Sequence, residues 1–242
     1  MDAHNPLLNL KHISYHYPGG KTVLDQLNFS LLRGDRIGLV APNGSGKTTL
    51  LHVIMGLLKA TSGTIEIFGK PRKQEKDFSE VRRRIGLLFQ DADDQLFSPT
   101  VIEDVAFGPL NLGKSKQEAL DISRQTLDFL GLHDFEDRIT YKLSGGEKRL
   151  VSLATVLAMQ PEVLLLDEPS NALDSAMKAR LIRILQKLDL SYILISHEFD
   201  LLSQTTDQFY TMGNGKIFKD EHEHVHIHQH AHLVGKQPHR HI

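Results

Sequence analysis

A chain of 242 residues with 40% apolar side chains and a formal net charge of −2 can bury one large core, and it lacks the single-sign field that a nucleic-acid partner would require. It contains no cysteine, which excludes disulfides and thiolate metal sites and agrees with a reducing compartment. The opening MDAHNPLLNLKHISYHYPGG has no basic stretch leading into an apolar one, and no apolar run approaches the roughly 20 residues that span a bilayer, so any membrane role is expected to be peripheral.

The first element is LLNLKHI, where Leu8, Leu10 and His12 alternate with Leu7, Asn9 and Lys11; this period of two predicts a half-buried strand. RIGLV follows as a short continuous apolar run, then a predicted helix from Lys47 to about Leu58, then GTIEIF, which alternates again, and IGLLF, which does not. The stretch 91–160 carries helical patterns, about Lys116 to Leu130 and about Gly145 to Met159, with little strand signal, and is expected to be a helical insertion. VLLLD, a helix from about Ala176 to Leu188, and YILIS complete the pattern. Continuous apolar runs fit strands buried on both faces of a mainly parallel sheet, and strands alternating with helices indicate an α/β domain. After GNGKIF the composition turns to His, Glu and Gln, which offers no face for a core. The folded domain is therefore expected to occupy 1–218, with a mobile tail over 219–242.

The strongest signal is RIGLVAPNGSGKTTL. A strand runs into a loop containing Asn43, Gly44, Ser45 and Gly46, after which Lys47, Thr48 and Thr49 open a helix, the context a phosphate-binding loop requires. The glycines allow successive backbone N–H groups to turn toward a polyphosphate, and the helix N-terminus adds partial positive charge. Lys47 is expected on the β- and γ-phosphates and Thr48 on Mg²⁺. Ala41 stands where the usual pattern begins with glycine, and a left-handed backbone at that position would be strained.

The second signal is VLLLDEP. A buried strand delivers Asp167 and Glu168 at its C-terminal end, the edge where ligands of α/β sheets bind. Asp167 suits a metal and Glu168 suits the polarisation of an attacking water.

With these two sites, KLSGGEKRLVSLATVLAMQPEVLLLDEPSNALD and ILISHEFD complete a series whose order and spacing resemble the nucleotide-binding subunit of ATP-binding cassette (ABC) transporters, from residue 5 to about 218. The resemblance implies a P-loop NTPase fold, a RecA-like core sheet with a helical subdomain at about 91–160, and ATP with Mg²⁺ as ligands. It also implies that two protomers, as homodimer or heterodimer, sandwich two ATP molecules. Leu143, Ser144, Gly145, Gly146 and Glu147 match the signature that closes over the γ-phosphate held by the other protomer. Gln90 matches the glutamine near the metal and the attacking water, His197 the histidine that senses the γ-phosphate, and Ala172, Leu173 and Asp174 the loop between the two sites. Tyr17, preferred over Tyr15, matches the aromatic that stacks on adenine. Two departures stand out: Glu147 where glutamine is frequent, and Leu150 where arginine is frequent.

DADDQLFSPTVIEDVAFGPLNLG, after Gln90, is similar to the matching region of energy-coupling factor importers, which take up vitamins and transition-metal ions. That likeness implies a short helix docked to a transmembrane coupling protein on the cytoplasmic face of the membrane, with a substrate-binding membrane component alongside. Asp93, Asp94 and Gln95 are expected near that contact, with Leu96, Phe97 and Val101 as apolar anchors. The tail KDEHEHVHIHQHAH places His222, His224, His226, His228, His230 and His232 at every second position. In an extended chain alternate residues share a face about 6.6 Å apart, and in a helix His222, His226 and His230 form i, i+4 pairs; either arrangement lets imidazoles share a divalent ion. Nickel is the first expectation for cargo and cobalt the second. A vitamin importer of the same type and an ABC ATPase without a membrane partner are the alternatives; the latter usually carry coiled-coil insertions or fused cassettes, which this chain lacks.

Overall fold

The structure, a computed structural model, describes residues 6–220. In chain order the elements are β1 (Leu8–His16), β2 (Thr22–Leu31), β3 (Arg36–Val40), α1 (Lys47–Ile54), β4 (Ser62–Ile67), β5 (Lys70–Pro71), α2 (Glu75–Arg84), β6 (Ile85–Leu88), α3 (Val101–Asn111), α4 (Lys116–Phe129), α5 (Gly145–Leu157), β7 (Val163–Asp167), α6 (Ser175–Lys187), β8 (Ser191–Ile195), α7 (Phe199–Thr205), β9 (Gln208–Gly213) and β10 (Lys216–Lys219). Single turns of 3-10 helix lie at Ala92–Asp94 and Thr140–Lys142.

The continuous apolar runs form the central sheet, ordered β10-β9-β3-β8-β7-β6. Its strands are parallel except for β10, which pairs antiparallel with β9. Alternate residues of each run enter opposite layers. Val163 and Leu165 of β7, with Ile193 and Ile195 of β8, pack toward α1 and the second sheet. Leu164 and Leu166, with Tyr192 and Leu194, pack toward α5, α6 and α7. Burial on both faces is why these strands carry no alternation.

The second sheet, β2-β1-β4-β5, is antiparallel. Here the structure departs from the sequence expectation. Leu8 and Leu10 are buried, but His12 is exposed, with φ 51°, and the register shifts between Leu10 and Ile13. The bulge adds one residue and moves the buried phase to Ile13 and Tyr15, while the His12 N–H donates to Asn28 Oδ1 at 3.0 Å.

Between β6 and β7, which pair directly, the chain detours through α3, α4 and α5. Each of these helices begins with a Ser/Thr-x-x-Glu capping box: Thr100 with Glu103, Ser115 with Glu118, and Ser144 with Glu147. In each, the cap and the glutamate satisfy one another's backbone N–H. The edge strand β10 continues to Lys219, opposite Tyr210, and the Asp220 N–H donates to Phe209 O at 2.9 Å. Ordered pairing therefore extends two residues past the expected boundary at Phe218.

Candidate active site

β3, β7, β8 and β6 run parallel, so their C-terminal ends share one edge, and four loops leave it. The loop after β3 turns at Gly44 (φ 76°) and Gly46 (φ 100°). A Cβ on Gly46 would lie 2.8 Å from Val23 Cγ1, so both conformation and space require glycine there. Ala41 is fully buried and is not among the residues with positive φ; replacing the usual glycine costs no backbone strain. No side chain caps the N-terminus of α1, which leaves its first amides for a ligand.

Lys47, the first residue of α1, is buried, and its Nζ lies 2.9 Å from Glu168 Oε1, 3.1 Å from His197 Nε2 and 3.4 Å from Asn43 Oδ1. His197 Nε2 is itself 3.0 Å from Glu168 Oε1. Thr48 Oγ1 donates to Asp167 Oδ2 at 2.9 Å. The other carboxylate oxygen, Asp167 Oδ1, and the Ser45 hydroxyl are buried with no hydrogen-bond partner. Burial pushes the Asp167 carboxyl above its ordinary range, against the pull of the Thr48 hydrogen bond and the Lys47 charge. Unpaired acceptors beside a buried ammonium and an uncapped helix fit a polyphosphate carrying a hard cation. Among the described residues, no group of three or more His, Asp or Glu is arranged to hold a metal ion by itself, so oxygens of the substrate would complete the shell.

Tyr17 is half exposed, and its hydroxyl is 3.2 Å from Thr49 Oγ1 at the start of α1. Tyr15 is buried and packs edge-to-face on Tyr17 at 5.0 Å, so only Tyr17 offers a ring to solvent. Gln90 is exposed after β6 and lines a cleft of about 720 Å³ with Thr48, Asp91, Gly145, Arg149 and Ala172.

Ser144 caps α5 and is exposed. Its N–H donates to Glu147 Oε2 at 2.8 Å, and Arg138 Nη1 lies 2.6 Å from Glu147 Oε1. The backbone bond from Ser144, with Arg138 second, holds the Glu147 carboxyl below its usual range. A Cβ on Gly145 would sit 3.5 Å from Ala172 Cβ, and one on Gly146 would sit 3.4 Å from Leu173 Cδ2, so the loop at 172–174 abuts this helix start. Asp174 caps α6 through Met177 N–H at 2.8 Å. Among the described residues Ser144 has no hydrogen bond to Lys47, Thr48, Asp167 or Glu168.

Sequence reasoning missed Arg149, which is buried and donates to five carbonyl oxygens around the site. Its signal was a charged residue inside the apolar phase of α5, beside Leu150, Val151 and Leu153. Burial brings its pKa down to about 10, with Asp167, Asp91 and Glu168 opposing that shift, so it remains a cation at neutral pH. Two expectations for the segment after Gln90 fail. Gln95 turns inward, donating to Ser152 O at 2.8 Å and Thr155 Oγ1 at 2.7 Å, and Val101 is fully buried. The exposed apolar side chains there are Phe97 and Phe107, edge-to-face at 4.8 Å, and Leu110. His222, His224, His226, His228, His230 and His232 lie outside the described residues.

Residues 24–171 match the family model described as "ABC transporter". The energy-coupling factor transporter ATP-binding protein EcfA of Methanocaldococcus jannaschii is 42% identical over 218 residues, 88% of this chain and 78% of the relative. The structure of cbiO1 from Clostridium perfringens, part of the ABC transporter complex cbiONQ, superposes with a TM-score of 0.80 at 32% identity, covering 89% of this chain and 88% of that one. A dimeric ATP-binding cassette in a post-hydrolysis state with ADP and Pi also gives 0.80, at 25% identity, covering 88% and 97%.

Proposed function

The chain belongs to the ABC transporter family as an ATPase whose hydrolysis of ATP drives transport, and from that premise we propose that it energises an energy-coupling factor importer, two cassettes working together on the cytoplasmic face of the membrane. The observation that carries the reading is the meeting of Lys47, Glu168 and His197 within 3.1 Å at the sheet edge, with Ser144 exposed at the start of α5. Among the described residues no helix is long and apolar enough to cross a membrane, and a transmembrane coupling protein and a substrate-binding membrane component supply that part.

In this reading the amides of 44–48 and the Lys47 ammonium bind the β- and γ-phosphates, and Thr48, Asp167 and Gln90 face the Mg²⁺ that accompanies ATP. Tyr17 stacks on adenine. The Glu168 carboxylate accepts a proton from water as that water attacks the γ-phosphorus; the bond from the γ-phosphorus to the bridging oxygen breaks, and ADP leaves with phosphate. His197 Nε2 steadies the γ-phosphate end. Ser144, Gly145 and Gly146 of the partner cassette close the site, and Asp174 holds the start of α6 beside that contact.

For cargo, the alternating histidines of the tail favour a divalent transition metal, nickel before cobalt, over a vitamin. The test of the engine is Glu168→Gln, which should lower turnover at least about 100-fold and trap an ATP-dependent dimer; retention of more than about a tenth of turnover refutes the base assignment. The test of cargo is accumulation of ⁶³Ni or ⁵⁷Co by the intact complex in vesicles, with a labelled vitamin as the competing outcome.

A further inference from the structure

We propose that Arg149 is the positioning residue that locks the Gln90 loop to the Asp167–Glu168 strand end, and thereby ties the placement of the Glu168 carboxylate to the helix that begins at Ser144. The proposal rests on the assignment of Glu168 as proton acceptor.

A guanidinium has five N–H donors in a rigid plane, and Arg149 commits one to each of five carbonyls. Nε donates to Pro169 O at 3.2 Å. Nη1 donates to Phe89 O and, at 3.1 Å, to Gln90 O. Nη2 donates to Glu168 O and, at 2.7 Å, to Asp167 O. The acceptors come from two loops some eighty residues apart in sequence, those after β6 and β7, and Arg149 itself lies on α5, so one side chain joins three segments. Phe89 O, Gln90 O and Pro169 O accept no backbone hydrogen bond among the described residues; the fork is the partner that fixes their direction.

The arrangement differs from an ordinary buried ion pair: among the described residues Arg149 bonds carbonyl oxygens, and the charges of Asp167, Asp91 and Glu168 act on it without a direct salt bridge. A buried charge is poor evidence for stability, since apolar replacements of equal size often do as well. What the guanidinium supplies, and an apolar side chain cannot, is fixed directions toward five oxygens. Those directions matter most at Glu168, whose φ of 49° is one that L residues rarely adopt. Its peptide is gripped on both sides, with its N–H on Ile195 O at 3.0 Å and its carbonyl on Arg149. Because Arg149 is only five residues beyond Ser144, a shift of α5 as the partner's nucleotide closes on Ser144 would be felt at Gln90 and Glu168.

The experiment uses the full chain with Arg149→Met, which keeps bulk, and Arg149→Lys, which keeps charge but has three donors without the planar fork. Misplacement of a reacting group by about 1 Å costs on the order of 100-fold. kcat should therefore fall about 100-fold in Arg149→Met and at least about tenfold in Arg149→Lys, while KM for MgATP and the Kd of its β,γ-imido analogue stay within about threefold. On a Glu168→Gln background, Arg149→Lys should lower the residual single-turnover rate by no more than about threefold, against at least about tenfold in the wild-type chain, because the Glu168 carboxylate is already gone and only the Gln90 contribution remains. If Arg149→Met fails to fold, the lysine variant decides. An Arg149→Lys protein with a lower Tm but a kcat per nucleotide-binding site within about threefold of wild type overturns the proposal, as do losses that multiply in the double variant. Retained turnover in Glu168→Gln alone would instead locate the error in the base assignment, and the proposal would fall with it.

Discussion

Lys47 and Glu168 form an ion pair at 2.9 Å with side chains only 8% and 5% exposed, and in the proposed mechanism a phosphate must take that ammonium away from its carboxylate. Removing one partner of a buried pair costs about 3–5 kcal/mol. In Glu168→Gln the amide oxygen can still accept from Nζ, and a hydrogen bond to a charged group returns about 1.5–3 kcal/mol. The net loss without nucleotide is about 2 kcal/mol, or about 4–8 °C in Tm for a domain of this size. The same quantity enters binding with the opposite sign. The variant has no carboxylate to displace, so MgATP analogue binding should tighten by about 2 kcal/mol, roughly 30-fold. Thermal unfolding with and without the β,γ-imido analogue, together with calorimetric titration, measures both sides of this cycle. A variant that melts at or above wild type without nucleotide, and whose Kd changes less than about twofold, would show that Lys47 is not held by Glu168 before ATP arrives.

Gly86 on β6 faces α5, and a Cβ there would stand 2.2 Å from Val156 Cγ1 and 3.1 Å from Leu164 Cδ2; Gly86→Ala should cost about 1–3 kcal/mol by overpacking, seen as a lower urea midpoint at unchanged slope. The Glu80 carboxyl is pulled down from its ordinary range to about 2, chiefly by the hydrogen bond from Arg72 and then by that from Lys70. A depressed carboxyl contributes stability above its unfolded pKa and loses it as pH falls toward the folded one. The stability difference between wild type and Glu80→Gln should therefore be constant above about pH 4.5 and shrink from there toward pH 2, as followed by denaturant titration; a difference that grows on acidification would contradict this assignment. Truncation after Asp220, which keeps β10 whole, should remove most Ni²⁺ binding at pH 7.5 with little change in basal ATPase rate. Binding by the full chain should weaken at pH 5.5, below the imidazole pKa of about 6.5; equal Ni²⁺ affinity in both forms would dismiss the tail as a metal site.

The elements legible in the sequence were those whose pattern reflects a single dominant constraint. VLLLD became β7, Val163–Asp167, with its expected ends, because burial on both faces leaves only apolar choices. The elements that escaped notice answer to two constraints at once. α2 buries only Phe78 and Val81, so EKDFSEVRRR reads as polar. α3, in the segment where only the family likeness implied a short helix, contains Gly108 and Pro109, a pair that gives the residues themselves no helical signal, and a Cβ on Gly108 would lie 2.6 Å from Met159 Cγ. β2 passes through Gln26 at φ 47°, which breaks its alternation. At the site, motifs named Lys47, Thr48, Asp167, Glu168 and His197, since each sits at a strand or helix end with a fixed offset. Motifs did not show that Lys47 rests on Glu168, or that Gln95 and Val101 point inward. Those facts depend on packing between segments distant in sequence.

The two departures within the signature have different physical meanings. Glu147 completes the capping box of α5 and pairs with Arg138, so the substitution places a full negative charge at a helix N-terminus, where the dipole favours it. That charge sits beside the surface on which the partner's γ-phosphate is proposed to land, so a phosphate approaching Ser144 must compete with a carboxylate already bonded to the Ser144 N–H. The capping box and the Arg138 pair hold the start of α5, and in the proposed mechanism they oppose closure. Leu150 is fully buried among Val151, Leu153 and Leu164 in the layer beneath the sheet, a place where a guanidinium would find only apolar neighbours. The arginine of this helix stands one residue earlier, and a step of one residue turns a side chain by about 100° around the helix axis, from that apolar layer to the carbonyls of Gln90 and Asp167. In the proposed mechanism the same short stretch therefore sets two opposed quantities, how readily the cassettes close and how firmly closure is transmitted to Glu168.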